Sequence, residues 1–388
     1  MKSSSYRYAT RATLPLLALL TLTSIVRADE ALLERPSKLA RTPLGNLLVA
    51  EVGTTTSAPN SGRVSIIDPD GARRTLVGGL PSAPLNAVNT PSGPSGLYLQ
   101  GRTLFVSIGE GNPTLAGPVP RTEVPNPNPA SPLFSCVLAV HFSAAVEMNT
   151  TGVTLTLADH HALLAGDELI RADASGAKIT IRLVVDFPDY RSEPLPNLAG
   201  NVRHSHPYGV VADDEFLYVV DGGYNVVHKA EILTGEFETL TSFPRTPNPG
   251  TFGPPMIENV PTSIRWDHDQ LLVTLLSGFP FIAGLSQVRT VDPETGDDAA
   301  LITGLGSAID VIPLIDDDQT VGYLTLEYSL AHLAGGPGRL QVFDTSGGSI
   351  GVVTDALTTP SCMDYDRHSQ SVIIAELIPG RLITVPLP

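Results

Sequence analysis

The chain has 388 residues and a formal net charge of −16, with 40 acidic residues set against 24 basic ones. A surface this acidic repels phosphate backbones and anionic lipid headgroups, which argues against nucleic acid as a partner.

Residues 1–28 read as an export signal. Lys2, Arg7 and Arg11 make a basic start, Leu14 to Val26 an apolar stretch, and Val26-Arg27-Ala28 a small-residue cleavage site. The mature chain is therefore expected to begin at Asp29 and to be secreted or periplasmic. Losing four basic and no acidic residues takes its formal charge from −16 to −20. No segment reaches the roughly 20 apolar residues a helix needs to cross a bilayer, so no membrane span is expected.

From there a strand phrase returns along the chain: KLARTPLGNLLVAEV from Lys38, PSGLYLQGRTLFVSIG from Pro94, HPYGVVADDEFLYVVDG from His206, VPTSIRWDHDQLLVTLLSG from Val260, AIDVIPLIDDDQTVGYLTLEYS from Ala308 and CMDYDRHSQSVIIAEL from Cys362. Each copy is an apolar segment, a polar turn and a second apolar segment, which is the mark of one small β unit stacked repeatedly. The third copy is the clearest, with strands expected over His206–Val211, Phe216–Asp221, Val226–Ile232 and Phe237–Phe243, and turns at Ala212-Asp213-Asp214, Gly222-Gly223 and Thr234-Gly235. Four antiparallel strands of that length form a propeller blade.

The last copy ends after three strands, at Arg381 to Val385, while Glu30-Ala31-Leu32-Leu33 precedes the first. The expected fold is thus all-β, a six-bladed β-propeller over residues 29–388 whose ring is closed by an N-terminal strand. Blade two is oversized. It carries a Pro-rich loop at about 112–132 and an insertion at about 144–177 with strand-like pieces VTLTLAD and ELIRAD, and no helix of useful length is expected. His160-His161 in that insertion are expected to be solvated. Cys136 and Cys362 belong to different repeats, and both a disulfide and two buried thiols are compatible with the sequence.

Aligning the second strands puts Glu51, Ile108, Asp221, Leu275, Glu327 and Glu376 at one equivalent position, on the face where the inner strands begin. Four carboxylates would ring that face. As oxygen donors Glu51, Asp221, Glu327 and Glu376 suit Ca2+; the competing reading makes them acceptors for backbone N–H groups that lock the blades. His204, His206, Asp310 and Asp364 fall near the same face. His204 and His206, two apart on an extended segment, share a face and could ligate a metal, but spacing supplies no third ligand. The loop LSGFPFIAGLSQV should bring Phe279 and Phe281 beside the acids, with Tyr208, Tyr224 and Tyr328 close by. Aromatic walls with a few convergent polar groups describe a small-molecule site, although Phe279 and Phe281 could equally plug the channel. Gly-x-Ser-x-Gly, HExxH, CxxC, phosphate-loop and dinucleotide patterns are absent.

The run HPYGVVADDEFLYVVDGGYNVVHKAE, with Phe243-Pro244, VPTSI from Val260, LLSGFPFIAG from Leu275 and IDV from Ile309, resembles the ScyD/ScyE family. These are exported proteins encoded with the biosynthetic genes for scytonemin, an indole- and phenol-derived sunscreen pigment. The resemblance implies an NHL-like six-bladed propeller, akin to the gluconolactonase and strictosidine-synthase propellers, and carries no catalytic residues with it. Where this family has Asn-Pro-Tyr, the chain has His206-Pro207-Tyr208. The expected function is binding of a small aromatic ligand on the carboxylate-ringed face through Phe279, Phe281, Tyr208, Tyr224, His206 and Tyr328. The alternatives are a Ca2+-dependent lactonase-like hydrolase and a protein-interaction scaffold using the blade-two loops.

Overall fold

The computed structural model describes residues 26–27, 32–54, 57–84 and 90–387. They form a ring of six antiparallel sheets. From axis to rim, blade one runs Pro36–Arg41, Leu47–Glu51, Gly62–Ile67 and Arg73–Leu80, and blade three runs Pro207–Ala212, Phe216–Asp221, Val226–Glu231 and Phe237–Ser242, within a residue or so of expectation. Blade four starts at Asn259–Asp267, blade five at Ala308–Asp316 and blade six at Pro360–Asp366. Each inner strand touches the inner strands of both neighbours, so the ring closes on itself.

Side-chain alternation is what makes the blades stack. In the second strand of blade three, Leu217 and Val219 join the apolar layer shared with blade two, whereas Tyr218 and Val220 join the layer shared with blade four. Blades four and five enclose Leu272, Val288, Val311 and Phe343; blades five and six, Leu326, Leu340, Met363 and Ile374; blades six and one, Leu39, Val49, Cys362 and Ala375. Every blade is therefore buried on two faces, and a single interior Leu or Val contributes roughly 1.5–3 kcal/mol.

Blade six has only Pro360–Asp366, Ser371–Glu376 and Arg381–Pro386 from the C-terminal end. Its fourth strand is Val26–Arg27, which pairs antiparallel with Arg381–Pro386 through Val26 opposite Thr384 and Arg27 opposite Ile383. The segment expected to close the ring, Asp29–Glu34, lies partly outside the described residues. Within it Leu33 donates its N–H to Gly380 O at 2.7 Å and is buried among Leu39, Ala375 and Leu382. The signal-peptide reading falls on residues 1–25 and Ala28, which also lie outside the described residues.

The insertion in blade two departs from expectation. Ala144–Asn149 and Leu157–Leu164 are α-helices, the second opened by Thr156 and Asp159 in a reciprocal capping box. Of VTLTLAD only Val153–Thr154 is strand, running parallel to Arg73–Leu80 on the rim of blade one, while ELIRAD supplies the strand Leu169–Ala172. Val146, Val153, Leu155 and Leu163 dock the insertion by packing into the core shared by blades one and two, and the cost of burying Glu147 is offset because it accepts from Asn46 Nδ2 at 2.7 Å, from Thr42 and from Arg102. His160, expected in solvent, is fully buried, with Nε2 2.8 Å from Gly79 O and Nδ1 3.0 Å from Ser131 Oγ. Cys136 and Cys362 are both free and buried.

Candidate functional site

The inner strands share a register break at one level of the channel. Glu51, Ile108, Asp221, Leu275, Glu327 and Glu376 each pair with the residue just before a β-bulge, at Pro36, Pro94, Pro207, Pro261, Ala308 and Pro360. Equivalence of those second-strand positions, inferred from alignment, is thus a feature of the ladder. At the bulges, Ser37 donates to Pro94 O at 2.7 Å, Ser95 to Pro207 O at 2.8 Å, Thr262 to Ala308 O at 3.3 Å and Ser361 to Pro36 O at 2.6 Å. These hydroxyls staple four of the six junctions between neighbouring blades.

One residue further on, the side chains point into the channel. Lys38 Nζ reaches Ser263 Oγ on the opposite blade at 3.1 Å and Asp310 Oδ2 at 3.1 Å. Asp310 also accepts from Arg265 at 2.8 Å, Ser263 at 2.5 Å and the Met363 N–H at 3.1 Å. Burial would push the Asp310 carboxyl up, but Arg265 and Lys38 hold it well below the usual range. Burial, with Arg265 beside it, lowers the Lys38 ammonium. Asp364 binds Arg41 at 2.8 Å. Asp310 and Asp364 therefore belong to an ionic plug inside the channel.

The structure does not bring the four expected Ca2+ ligands together. Glu51 accepts from the Glu34 N–H and from Arg73 at 2.7 Å. Glu327 takes the Gly306 N–H and Arg339 at 2.6 Å, and Glu376 takes the Thr358 N–H and Arg381 at 2.6 Å. Asp221 takes Ser205 Oγ at 2.6 Å and the N–H groups of His206 and Tyr224, each at 2.9 Å. All four are buried, and each holds the connection that leads from the preceding blade into the inner strand of its own.

Asp221's clamp nevertheless shapes the exposed face. By holding Ser205 and the His206 N–H it fixes an extended His204-Ser205-His206 segment with both imidazoles on one side. His204 lies on Val202–His204, which pairs with Tyr190–Ser192. Opposite stands Glu110, just beyond the second strand of blade two, where Ile108 leaves the clamp position apolar. Glu110 Oε2 is 2.6 Å from His204 Nε2 and 3.2 Å from His206 Nδ1, while His204 Nδ1 is 2.8 Å from Glu123 Oε2. Burial would raise Glu110, yet the two imidazoles hold its carboxyl far below normal; His204, which burial alone would lower, is pushed up to about 10 by Glu110 and Glu123. Among the described residues, Glu110, His204 and His206 are the ones whose ligand atoms cluster closely enough to hold a metal, all within 4.8 Å of one another. Neither glutamate stands out in the sequence. The one available signal for Glu110 is the missing acid at Ile108.

Glu123 is carried by a hairpin, Thr114–Ala116 with Glu123–Pro125, folded from the Pro-rich loop. It lies over the face and bounds an open cleft of about 590 Å³ with His204, Gly222, Gly223, Arg245 and Glu258. Its Arg121 sits 5.0 Å above the Phe279 ring. Phe279 meets Phe281 edge to face at 6.2 Å and the exposed Phe252 at 5.4 Å; Phe281 stacks on His332 at 3.9 Å, and His332 adjoins Tyr328 at 5.2 Å. Phe281 holds this place at φ +59°, a conformation bulky side chains rarely adopt. Phe279, Phe281 and Tyr328 are thus gathered in one half-buried row. Tyr208 lies in the channel beside His206, with ring centroids 5.7 Å apart, and burial raises its hydroxyl. Tyr224 is engaged elsewhere, under Arg191 at 4.6 Å with its hydroxyl donating to Pro188 O.

No protein-family model matches the chain, and no curated protein sequence matches it. Among solved structures, a Thermus thermophilus protein assigned as an oxidoreductase (glucose dehydrogenase) is 12% identical, covering 93% of this chain and 99% of its own, with a TM-score of 0.50. A protein assigned as a 6-phosphogluconolactonase from Bacteroides uniformis is 10% identical, over 90% of this chain and 80% of its own, at 0.45. The β-propeller domain of Cps50 (Swd1) from Myceliophthora thermophila is 12% identical, over 94% and 99%, at 0.44. The six sheets closed into a ring make the chain a β-propeller; identities this low speak to the fold alone. No described helix is long and apolar enough to cross a membrane.

Proposed function

We propose that this is an exported propeller that binds a small aromatic ligand, of indole or phenol type, on the face covered by the Thr114–Pro125 hairpin. One observation carries the reading. The row Phe279, Phe281, His332 and Tyr328 is half-buried and open at its Phe252 end, and within it the buried His332 Nδ1 has no hydrogen-bond partner. A structural aromatic core would satisfy or exclude that nitrogen, because an unpaired buried polar atom costs about 1–3 kcal/mol. Burial lowers the His332 pKa and keeps its ring neutral. A flat ligand stacking on the row and hydrogen-bonding through an indole N–H or a phenol O–H offsets the deficit. The resemblance to the ScyD/ScyE family favours the same ligand class and an extracytoplasmic location.

The experiment is titration of the purified protein with indolic and phenolic compounds, followed by calorimetry. Phe279→Ala with Phe281→Ala should keep the parent's circular dichroism and weaken binding at least tenfold. A folded double variant binding every such compound as the parent does, or a parent that binds none, removes the reading.

A further inference from the structure

We propose that Glu110, His204 and His206 form a site for one divalent transition-metal ion of the zinc, cobalt or iron(II) kind. This rests on atoms separate from the aromatic row and does not depend on the ligand assigned to it.

Three observations converge. The first is the buried Glu110 carboxylate, whose Oε2 approaches two imidazole nitrogens at 2.6 and 3.2 Å yet makes a geometrically proper hydrogen bond to neither. Its oxygen and one nitrogen of each histidine lie within 4.8 Å of one another. The second is orientation: Glu123 holds the far nitrogen of His204 at 2.8 Å, which leaves Nε2 directed at Glu110. A carboxylate behind a histidine in this way is the usual support of a metal-bound imidazole, fixing its tautomer and raising its basicity. The third is rigidity. The Ser205 N–H donates to Asp189 O at 2.8 Å, and Asp221 grips Ser205 Oγ and the His206 N–H. The histidine pair is thus held by one backbone bond and by the Asp221 carboxylate, while Gly109 leaves room for the other edge of His206: a Cβ there would stand 3.2 Å from its Nε2.

The donor set selects the ion. Two imidazole nitrogens and one carboxylate oxygen suit borderline transition metals, whereas Ca2+ takes six to eight oxygens and Mg2+ prefers oxygen and water. Three protein ligands leave coordination positions for water or for an oxygen donor of a bound molecule. Those positions open toward the hairpin-covered cleft, which His204 and Glu123 line.

The test uses the full-length protein stripped with chelator and titrated with Co2+, read by visible d–d absorption and calorimetry. The expected result is one equivalent bound, displaced by Zn2+ and unaffected by millimolar Ca2+. Binding should be lost in Glu110→Gln and His204→Gln, and weakened roughly 10- to 100-fold in Glu123→Gln, where only the supporting carboxylate is altered. If a histidine variant does not fold, Cu2+ paramagnetic resonance on the parent decides, since two imidazoles give resolvable nitrogen hyperfine structure. The inference is overturned by a parent that takes up no Co2+, by a spectrum lacking nitrogen coupling, or by folded Glu110 and His204 variants that bind as the parent does.

Discussion

Lys38 on blade one and Asp310 on blade five meet 3.1 Å apart inside the channel, with side chains 5% and 0% exposed. The pair ties together parts of the ring that share no sheet. Its two members are not equivalent. Asp310 also neutralises Arg265, so Asp310→Ala strands two buried cations and should cost about 3–5 kcal/mol, whereas Lys38→Met leaves Arg265 to balance the carboxylate and should cost distinctly less. Chemical denaturation of the two variants checks the order; equal losses would mean that Arg265 does not share the charge.

The bulge hydroxyls bear on blade-to-blade cohesion. Ser95→Ala and Ser361→Ala each remove one donor to a neighbouring blade's carbonyl, and each should cost about 1 kcal/mol. The two sit in different blades and share no partner, so the double variant should lose the sum. Denaturation midpoints of the three variants measure it.

The carboxylate clamps make a prediction about calcium. With Glu51, Asp221, Glu327 and Glu376 each bonded to an arginine, a hydroxyl or turn N–H groups, millimolar Ca2+ should leave the melting temperature unchanged. Glu327→Ala should lower stability by about 3 kcal/mol because it strands the Arg339 charge and the Gly306 N–H. A calcium-dependent rise in melting temperature that Glu327→Ala abolishes would reinstate a metal role for this acid.

Closure of the ring can be dissected by truncation. A chain starting at Asp29 loses the Val26–Arg27 pairing, while one starting at Glu34 also loses the Leu33 N–H bond to Gly380 and a buried leucine. The shorter chain should melt well below the longer one, and both should aggregate through the bared edge of Arg381–Pro386. Equal melting curves would show that neither contact matters to closure.

Asp189 gives a pH dependence. Burial, with Asp186 as a like-charged neighbour, raises its carboxyl to about 6 in the folded protein, against about 3.9 unfolded. Between those values the folded state binds more protons, so this group's contribution to stability falls as pH rises from the lower value to the upper and is flat above it. Asp189→Asn should therefore be more stable than the parent above pH 6, by about 1–2 kcal/mol after allowance for its partial exposure, with the gap closing near pH 4. Melting temperatures across pH 4 to 8 read the effect directly.

The blade repeat was legible because alternation along a strand is local: Leu217, Tyr218, Val219 and Val220 declare two buried faces without reference to any neighbour. The clamp position could likewise be aligned by eye, since the ladder register repeats with the strands. How Glu51 or Glu327 is used could not be aligned, because the partner arginines come from non-equivalent strands, Arg73 from the fourth strand of blade one and Arg339 from the third of blade five. The helix at Leu157–Leu164 was concealed by the alternation in VTLTLAD, although Thr156 and Asp159 carried a capping signal.

Sequence alone thus determined the β-propeller, its six blades and closure from the N-terminal side, all of which follow from periodicities of a few residues. Only the tertiary structure decided the chemistry of the face. Glu123 meets His204 across 81 residues of chain and Lys38 meets Ser263 across 225. Such pairs form where rigid blades bring unrelated loops together. Their geometry is set by the packing of whole sheets, which no local spacing records.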